Sequence, residues 1–537
     1  MSEKVWLKNY PSTTATEVEI PNIPLGQILQ DTTAKIPQNE AIIFYHKRMT
    51  YQELSGLAHV FTSALQAAGV QKGDRVAIML PNCPQYVISY FGALNTGAII
   101  TQINPLLVER ELQYILSDSG AETIIALDAL YPRIKAIQPN TNVKNIIMVS
   151  IQPTDADFAP DKTFEQFMQT ATGTVSPVQI DPENDIAVLQ YTGGTTGRSK
   201  GAMLTHRNLV ANIIQSYEFF KSDITFGKER SLTVIPLFHV FGMTSGMNLS
   251  IYCGSANTLL PRFDVEELLQ TISREQTTMF PGVPTMYVAL TNHPKAEEYS
   301  LSSIRVCNSG SAPMPVELMK EFERKTGAMV LEGFGLSEAS PVTHCNPIFA
   351  ERKPGSIGIG IPGTEYKVVD LATGTDEVPY GELGELIVKG PQVMKGYWNM
   401  PEETAITLRD GWLFTGDIAK MDEDGYVYIV DRKKDLIIAS GYNIYPRDIE
   451  EVLYEHPAVQ EAVVVGVPDQ YRGETVKAFI VLKQGKVATE EEIISYCKEH
   501  LSAYKVPKLL EFREELPKTN VGKILRRVLR EEVTKVQ

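Results

Sequence analysis

Apolar and polar positions along the first part of the chain predict strands that alternate with helices. Residues 75–80 (RVAIML) form a nearly continuous apolar run of strand length, and residues 85–95 behind them have the composition of a helix. Similar apolar runs recur at residues 122–127 (ETIIAL) and 145–150 (NIIMVS). Such runs, separated by helical stretches, are typical of parallel strands covered by helices. The chain is therefore predicted to have an α/β fold.

The pattern changes twice in the second half of the chain. Between residues 355 and 428, short strand-like runs stand between Gly, Pro and Asp turns, which predicts a small antiparallel or barrel-like section. After the charged run at residues 431–435, helices and strands are predicted within about a hundred residues, enough for one compact unit. We therefore predict a large domain at residues 1–433, with two α/β-layered sheets plus a small β-barrel. Residues 434–537 are predicted to form a mobile small α+β domain.

Composition and charge narrow the class of protein. Hydrophobic residues make up 43% of the 537 residues and charged residues 21%, which is the mixture of an ordinary globular chain. Fifty basic residues stand against 65 acidic ones, a formal net charge of −15. This balance disfavours nucleic acid and anionic membranes as partners. A phosphate ligand must therefore be bound by local geometry.

Cysteine usage and the long uncharged segments favour a cytoplasmic protein. The five cysteines are scattered without CxxC spacing, so we expect neither a disulfide framework nor a zinc site. The first eleven residues lack a basic region followed by an apolar stretch, so no secretory signal is expected. Residues 80–108 and 231–261 contain no charged side chain, but Pro, Asn and Gly interrupt both. They are predicted to be buried core, not membrane spans.

The segment YTGGTTGRSKG at residues 191–201 follows a strand-like run and has the composition of a phosphate-binding loop. Its glycines let backbone amides approach a phosphate, while threonine hydroxyls and Lys200 add donors and positive charge. A Walker A loop needs Gly-Lys-Ser/Thr in succession, whereas two residues separate Gly197 from Lys200. A kinase or G-protein function is therefore disfavoured. A flexible surface loop is the structural alternative.

Two other short motifs do not fit their usual context. Residues 358–363 match a dinucleotide-binding fingerprint, but Pro362 and a strand-like run follow where a helix should begin. Residues 335–339 resemble a nucleophile elbow but lack its final glycine. Neither dinucleotide binding nor esterase chemistry is predicted.

The 191–201 loop closely resembles the signature of the adenylate-forming enzymes, the superfamily of acyl-CoA synthetases, firefly luciferase and adenylation domains. Gly193, Ser199 and Ser337 replace Ser, Pro and Thr, which are common there. The early segment KGDRVAIMLPNCPQY looks like the bacterial fatty-acid:CoA ligase branch. Further family motifs occur in order: PLFHVFG (236–242), SGSAP (309–313), GFGLSE (333–338), FTGD (414–417), DRKKDLIIASGYNIYP (431–446) and PKTNVGK (517–523).

The resemblance implies that the chain activates a carboxylic acid with ATP and Mg²⁺ and then passes the acyl group to CoA. Thr195 and Glu338 are implied to hold the metal and to act in catalysis, and Asp417 to accept from ribose hydroxyls. A local turn cap is the alternative for Asp417, and a core position for Phe334. The implied ATP- and AMP-binding residues are Thr192, Gly193, Gly194, Thr195, Thr196, Gly197, Lys200, Ser309, Gly310, Ser311, Ala312, Pro313, Gly333, Phe334, Gly335, Ser337, Asp417 and Arg432.

The small domain is implied to take part in both steps. Lys523 would contact the acid and the α-phosphate during adenylation, although a lysine before a basic helix is usually an exposed charge. Lys434 would be the hinge about which the domain turns between two poses. In the second pose, Gly441, Tyr442 and Asn443 would face the pantetheine arm of CoA.

The acid is predicted to be a fatty acid of medium to long chain. His239 follows Phe238 where amino-acid-activating relatives carry Asp, which disfavours an amino acid. The expected acyl pocket is formed by His239, Gly242, Met243 and Val283. His239 is also expected to act in catalysis, and a packed core histidine is the structural alternative. An aryl acid, a carrier-protein acceptor, a luciferase-like oxygenase, a nucleotide-binding module and a simple ATPase remain alternatives. Oligomeric state and peripheral membrane contact stay open, and residues 1–190 are predicted to be scaffold.

Overall fold

The computed structural model describes residues 4–154, 156–192, 199–312, 314–432, 435–439, 442–469, 473–519 and 524–536. Its first sixteen strands are β1 (Glu40–Phe44), β2 (Lys47–Thr50), β3 (Arg75–Met79), β4 (Ile99–Gln102), β5 (Thr123–Leu127), β6 (Asn145–Val149), β7 (Lys162–Thr163), β8 (Ile186–Thr192), β9 (Lys200–Thr205), β10 (Arg230–Thr233), β11 (Ala256–Leu259), β12 (Met279–Gly282), β13 (Val306–Ser309), β14 (Met329–Gly335), β15 (Val342–Cys345) and β16 (Ile359–Gly360). The later strands are β17 (Glu365–Val369), β18 (Gly384–Lys389), β19 (Leu408–Arg409), β20 (Trp412–Met421), β21 (Val427–Arg432), β22 (Ile437–Ala439), β23 (Tyr442–Ile444), β24 (Val459–Asp469), β25 (Gly473–Leu482) and β26 (Leu509–Phe512).

Several helices begin at a threonine that caps the first turn. The hydroxyls of Thr50, Thr205 and Thr489 each accept from the backbone N–H three residues further on, which satisfies a donor that has no partner inside the helix. A π-helix spans Gly242–Asn248. The α-helices are α1 (Gln27–Lys35), α2 (Tyr51–Ala67), α3 (Pro84–Asn95), α4 (Glu109–Ser119), α5 (Tyr131–Ile137), α6 (Phe164–Met168), α7 (His206–Phe220), α8 (Leu249–Tyr252), α9 (Val265–Glu275), α10 (Pro284–Asn292), α11 (Val316–Thr326), α12 (Pro401–Thr407), α13 (Pro446–Glu455), α14 (Glu490–His500) and α15 (Arg526–Val536).

A seven-stranded sheet is built from the first part of the chain. Its strand order is β7-β6-β5-β3-β4-β8-β9, and all neighbours are parallel except β8 and β9. Strands β3, β5 and β6 are the three apolar runs expected from the sequence, and α3 is the expected helix. The predicted α/β fold is confirmed.

A nine-stranded sheet lies beside the first, in the order β16-β15-β14-β13-β12-β10-β11-β1-β2. Its central neighbours from β14 to β1 run parallel, and antiparallel strands close both edges. The carboxyl ends of β12, β13 and β14 therefore meet at one edge. Ligands of α/β sheets bind at such an edge.

Two five-stranded sheets complete the chain. β17 to β21 form an antiparallel sheet, which corresponds to the small section expected between residues 355 and 428. β22 to β26 form the last sheet, and α13 packs against β24. The two hydrophobic clusters of this last unit draw on residues 437–533. The domain boundary near residue 434 and the mobility of the small domain stay predictions.

Both long uncharged segments contribute to the core, as predicted. Phe91, Leu94, Met243 and Leu249 belong to one hydrophobic cluster. All five cysteines are buried with free thiols. Within the described ranges, the helices lack the combination of length and apolar character that a bilayer span requires.

Candidate active site

The predicted phosphate loop connects the two strands of an antiparallel hairpin. Thr192 ends β8, Lys200 begins β9, and these two residues are paired across the hairpin. Helix α4 braces both sides of the loop, because Tyr114 Oη donates to the carbonyl of Ser199 (3.1 Å) and Tyr191 Oη donates to Asp118 Oδ2 (2.6 Å). The loop residues Gly193, Gly194, Thr195, Thr196 and Gly197 lie outside the described residues.

Lys200 has a defined position at the end of this hairpin. Its ammonium group forms an ion pair with the Glu403 carboxylate on α12, and Nζ lies 5.3 Å from the centre of the Tyr397 ring. Only 13% of the Lys200 side chain is exposed. The lysine charge is therefore held in a defined position at the start of β9.

Glu338 lies next to the same hairpin. Tyr397 Oη donates to Glu338 Oε1 (2.7 Å), and burial together with the Glu338 charge raises the pKa of the Tyr397 phenol, so this donor stays protonated. Mg²⁺ is usually bound through one or two carboxylates plus substrate phosphates and water. A single carboxylate beside a phosphate loop fits that preference, so Glu338 suits the predicted metal role.

Tyr397 and Glu403 were not predicted as site residues. Residues 395–398 reach the hairpin through backbone pairing, because the Lys395 and Trp398 amides donate to the carbonyls of Met203 and Gly201. This pairing joins segments about 200 residues apart, and no local sequence pattern signals it.

The predicted nucleotide segments lie at adjacent strand ends. Ser309 ends β13, and Gly333 and Gly335 lie at the end of the neighbouring β14. The β12–β13–β14 register aligns Gly282 with Ser309, and Ser309 with Glu332. The structure thus brings together segments far apart in the sequence. Ser311 and Ala312 follow at the half-buried rim, and Pro313 lies outside the described residues.

The turn after β14 requires glycine at position 335. A Cβ there would lie 2.4 Å from the carbonyl oxygen of Pro341. This close approach folds the chain back so that half-buried Phe334 and Ser337 stand before Glu338. The centre of the Phe334 ring lies 6.2 Å from the centre of the His344 ring, and Phe334 packs against the hydrophobic core.

Glu332 is a buried carboxyl group that the sequence did not single out. It is 2% exposed and its Oε1 accepts from the Met314 backbone N–H (3.2 Å). Burial raises its pKa to about 7, and the charge of Arg447 opposes this. A buried carboxyl group with a raised pKa therefore lies directly before Gly333.

Asp417 and Arg432 are paired on neighbouring strands, so Arg432 lies close to Asp417 as predicted. They face each other in the β20–β21 register, with Arg432 Nε 3.3 Å from Asp417 Oδ1. The Asp417 side chain is only 3% exposed, whereas that of Arg432 is 40% exposed. Arg432 thus holds a buried carboxylate in one orientation.

The predicted acyl residues lie beside the nucleotide segments. Gly310 N–H donates to the Gly282 carbonyl (3.2 Å), immediately before Val283. A Cβ on Gly310 would lie 3.3 Å from the Phe241 ring, so the segment after His239 contacts this strand end. Met243 and Val283 are buried and His239 is half-buried. Gly242 and Met243 begin the π-helix, and such widened turns are frequent at functional sites.

The predicted residues of the small domain are only partly described. Lys434, Gly441 and Lys523 lie outside the described residues, and Tyr442 and Asn443 are described only as backbone of β23.

Arg526 begins α15, three residues after Lys523. Its guanidinium lies 2.5 Å from Glu450, 3.9 Å from Asp431 and 3.8 Å from Asp435. Burial raises the pKa of Asp431 to about 6, which Arg526 opposes. The start of α15 is thus fixed to carboxylates on both sides of residue 434.

Two family models match the chain: AMP-binding enzyme at residues 29–398 and AMP-binding enzyme C-terminal domain at residues 448–523. A long-chain-fatty-acid–CoA ligase of Bacillus subtilis (strain 168) is 51% identical over 99% of both chains. One of Escherichia coli O6:H1 is 40% identical over 99% of this chain and 98% of its own. The crystal structure of the anthranilate CoA ligase AuaEII with anthranoyl-AMP superposes with a TM-score of 0.88 at 30% identity, covering 96% of this chain and 98% of that one. As the ordered motifs predicted, the chain belongs to the AMP-binding enzyme family.

Proposed function

We propose that the chain is an ATP-dependent long-chain fatty-acid:CoA ligase. The near full-length match to two ligases of that name carries the proposal and confirms the prediction of an AMP-forming acyl-CoA synthetase. The site geometry supports it, because Lys200 and Glu338 both contact Tyr397, and the predicted acyl residue Val283 follows β12 beside the nucleotide segments at the ends of β13 and β14.

The reaction has two balanced steps. In the first, a carboxylate oxygen attacks the α-phosphorus of ATP, the bond to pyrophosphate breaks, and acyl-AMP forms. In the second, the CoA thiol loses its proton and attacks the acyl carbon, and AMP leaves with the electron pair of the acyl–oxygen bond. AMP is a far better leaving group than oxide, which is why the acid is activated first.

Residues of this chain are proposed to stabilise the charge that develops on the phosphates. Lys200 exchanges Glu403 for the phosphates, while the loop amides and Lys523 add further donors. Glu338 and Thr195 would hold Mg²⁺, which when bound would neutralise charge at the phosphate oxygens. Asp417, oriented by Arg432, accepts from the ribose hydroxyls. Phe334 offers its ring to adenine between the glycines of the strand ends.

The apolar wall around Met243 and Val283 favours an alkyl chain as substrate, with half-buried His239 beside the carboxylate. The structurally similar anthranilate CoA ligase AuaEII binds anthranoyl-AMP, the adenylate of an aryl acid. Aryl acids therefore belong in the test. We further propose a cytoplasmic location, which free buried cysteines support.

The proposal is tested by incubating purified protein with ATP, Mg²⁺, CoA and a panel of fatty, aryl and amino acids. Acyl-CoA that forms in step with AMP and pyrophosphate, best with a long-chain acid, is the expected result by mass spectrometry. Adenylate without acyl-CoA would point to another acceptor, and ADP with phosphate to an ordinary ATPase.

Glu338→Gln is expected to slow adenylation about tenfold to a hundredfold, because the amide is a poorer Mg²⁺ ligand than a carboxylate. The amide oxygen still accepts from Tyr397, so the local fold is kept. Glu403→Gln is the control. It also removes a carboxylate near Tyr397, but that carboxylate pairs with Lys200 and is proposed to release it when ATP binds. Pyrophosphate release at varied Mg²⁺ separates the two variants. If excess Mg²⁺ restored pyrophosphate release in neither variant, the result would contradict the proposed metal role of Glu338.

Lys434→Pro is expected to slow thioester formation more than adenylation. Proline fixes φ and so restricts the rotation proposed for the hinge between the two poses. Adenylation is followed by pyrophosphate release without CoA, and the second step by mixing preformed acyl-adenylate with CoA. An unaffected second step would refute the hinge.

A further inference from the structure

A buried asparagine of the first sheet binds the segment that leads to His239. Asn82 follows β3 and is 2% exposed. Its Nδ2 donates to the carbonyls of Ile235 (3.0 Å) and Thr233 (3.3 Å), and its Oδ1 accepts from the Leu237 N–H (2.8 Å). One side chain therefore satisfies three backbone groups of this segment.

Two further side chains converge on the next peptide group. Tyr86 Oη donates to the Leu237 carbonyl (3.0 Å). Gln102 Nε2, at the end of β4, donates to Tyr86 Oη (2.8 Å) and lies 3.4 Å from the same carbonyl. Both side chains are buried. The phenol is thus oriented by the amide behind it.

Gln190 reaches the peptide group directly before His239. Its Nε2 donates to the Phe238 carbonyl (3.2 Å), and the side chain is buried. Gln190 lies on β8, directly before Tyr191, the first residue of the predicted phosphate loop. Strand β8, which leads into the predicted phosphate loop, is therefore hydrogen-bonded to the segment that carries the candidate acid-binding residue His239.

The segment needs these partners because residues 234–239 belong to neither a helix nor a strand. Buried backbone groups outside regular structure must find side-chain donors and acceptors. The arrangement has a cost, since the Oε1 atoms of Gln102 and Gln190 are buried and make no hydrogen bond with any described residue. Apolar side chains at these two positions would avoid the cost of burying an oxygen without a hydrogen bond.

We propose that Asn82, Tyr86, Gln102 and Gln190 form a clamp that positions residues 235–239 and thereby the acid-binding side of the site. The inference rests on the proposed function and adds positioning residues from the part of the chain predicted to be scaffold. Gln190 couples the acid side to the phosphate side, so the acid carboxylate and the α-phosphate keep a fixed relation. Loosening the clamp weakens binding of the acid while ATP binding is kept.

Gln190→Met tests the clamp, because Met keeps the length of the side chain and removes both donors. We expect KM for palmitate to rise about tenfold, since small displacements of a positioned group have large effects. KM for ATP stays within about twofold of wild type. A fluorophore-labelled palmitate, titrated without ATP or CoA, reads the same loss as weaker binding and needs no turnover.

Thr62→Val is the matched control, because Thr62 is buried and its hydroxyl lies within hydrogen-bonding distance of two backbone carbonyls, of Ala58 (2.8 Å) and Gly92 (3.0 Å), away from the segment. It is expected to leave palmitate binding unchanged. If Gln190→Met does not fold, Gln102→Met replaces it. The same rise in KM for palmitate and the same weaker binding of labelled palmitate are then expected.

Equal changes in both KM values, or labelled palmitate bound as tightly by the clamp variants as by wild type, would overturn the clamp. Wild-type acyl-CoA formation, measured in parallel, reports on the proposed function independently of the palmitate titration.

Discussion

Lys523→Ala is expected to slow acyl-adenylate formation by about a hundredfold to a thousandfold, the usual effect of removing one donor from a developing oxyanion. Negative charge builds on the α-phosphate oxygens as the carboxylate attacks, and a lysine that contacts both the acid and the phosphate also fixes their approach. Arg526, three residues later, is bound to three carboxylates and anchors this part of the small domain.

The two half-reactions distinguish this role from a general loss of folding. Conversion of preformed acyl-adenylate to acyl-CoA is expected to stay close to the wild-type rate, because the α-phosphate has already been attacked. Lys518→Ala is the control, since it removes a lysine from the same motif whose Nζ pairs with Glu461 (2.6 Å). Equal loss of both half-reactions in Lys523→Ala would contradict the proposed role.

Gly242→Ala is expected to disrupt the acid side of the site. A Cβ at this position would lie 2.2 Å from the Pro236 carbonyl oxygen and 2.9 Å from that of Ile235. Both contacts are with backbone, so the segment before His239 must move. Overpacking of this kind costs about 3 kcal/mol of unfolding free energy. The displacement should also lower the rate of fatty-acid adenylation about a hundredfold.

Gly56→Ala provides the matched control for that prediction. A Cβ on Gly56 would meet no atom within 4 Å, and the residue lies in exposed helical surface of α2. Alanine should stabilise the helix by roughly 1 kcal/mol and leave activity unchanged. Urea unfolding and pyrophosphate release measure both effects. Wild-type stability and activity in Gly242→Ala would contradict the close approach of these segments.

The sequence predicted the locally encoded part of the fold well. Strand β3 and helix α3 lie within one residue of their predicted ends, because an apolar run and a proline at the start of the helix mark them. The hairpin β1–β2 could not be placed in the same way. It joins the second sheet by pairing with β11, more than 200 residues later, and no local pattern encodes that pairing.

The candidate site shows the same division. Ordered motifs singled out Asp417 and Arg432 as candidate site residues, and the structure pairs them. Tyr397 was missed because its partner Glu338 lies in another motif, and Gln190 because a glutamine in a strand is normally uninformative. Such residues act through backbone groups or through other side chains. Their importance depends on three-dimensional contacts and not on residue type.

The parallel ends of β12, β13 and β14 have a consequence for how this scaffold can diversify. Neighbouring strands lie about 4.8 Å apart, so each strand end serves a separate part of the reactants. Under the proposed assignment, Val283 after β12 faces the acid, whereas Gly310 and Gly333 receive the nucleotide. A side-chain substitution at the first strand end alters the acid preference and leaves the backbone that receives ATP in place. A lineage can therefore acquire new acids by point mutation while it inherits the activation chemistry unchanged.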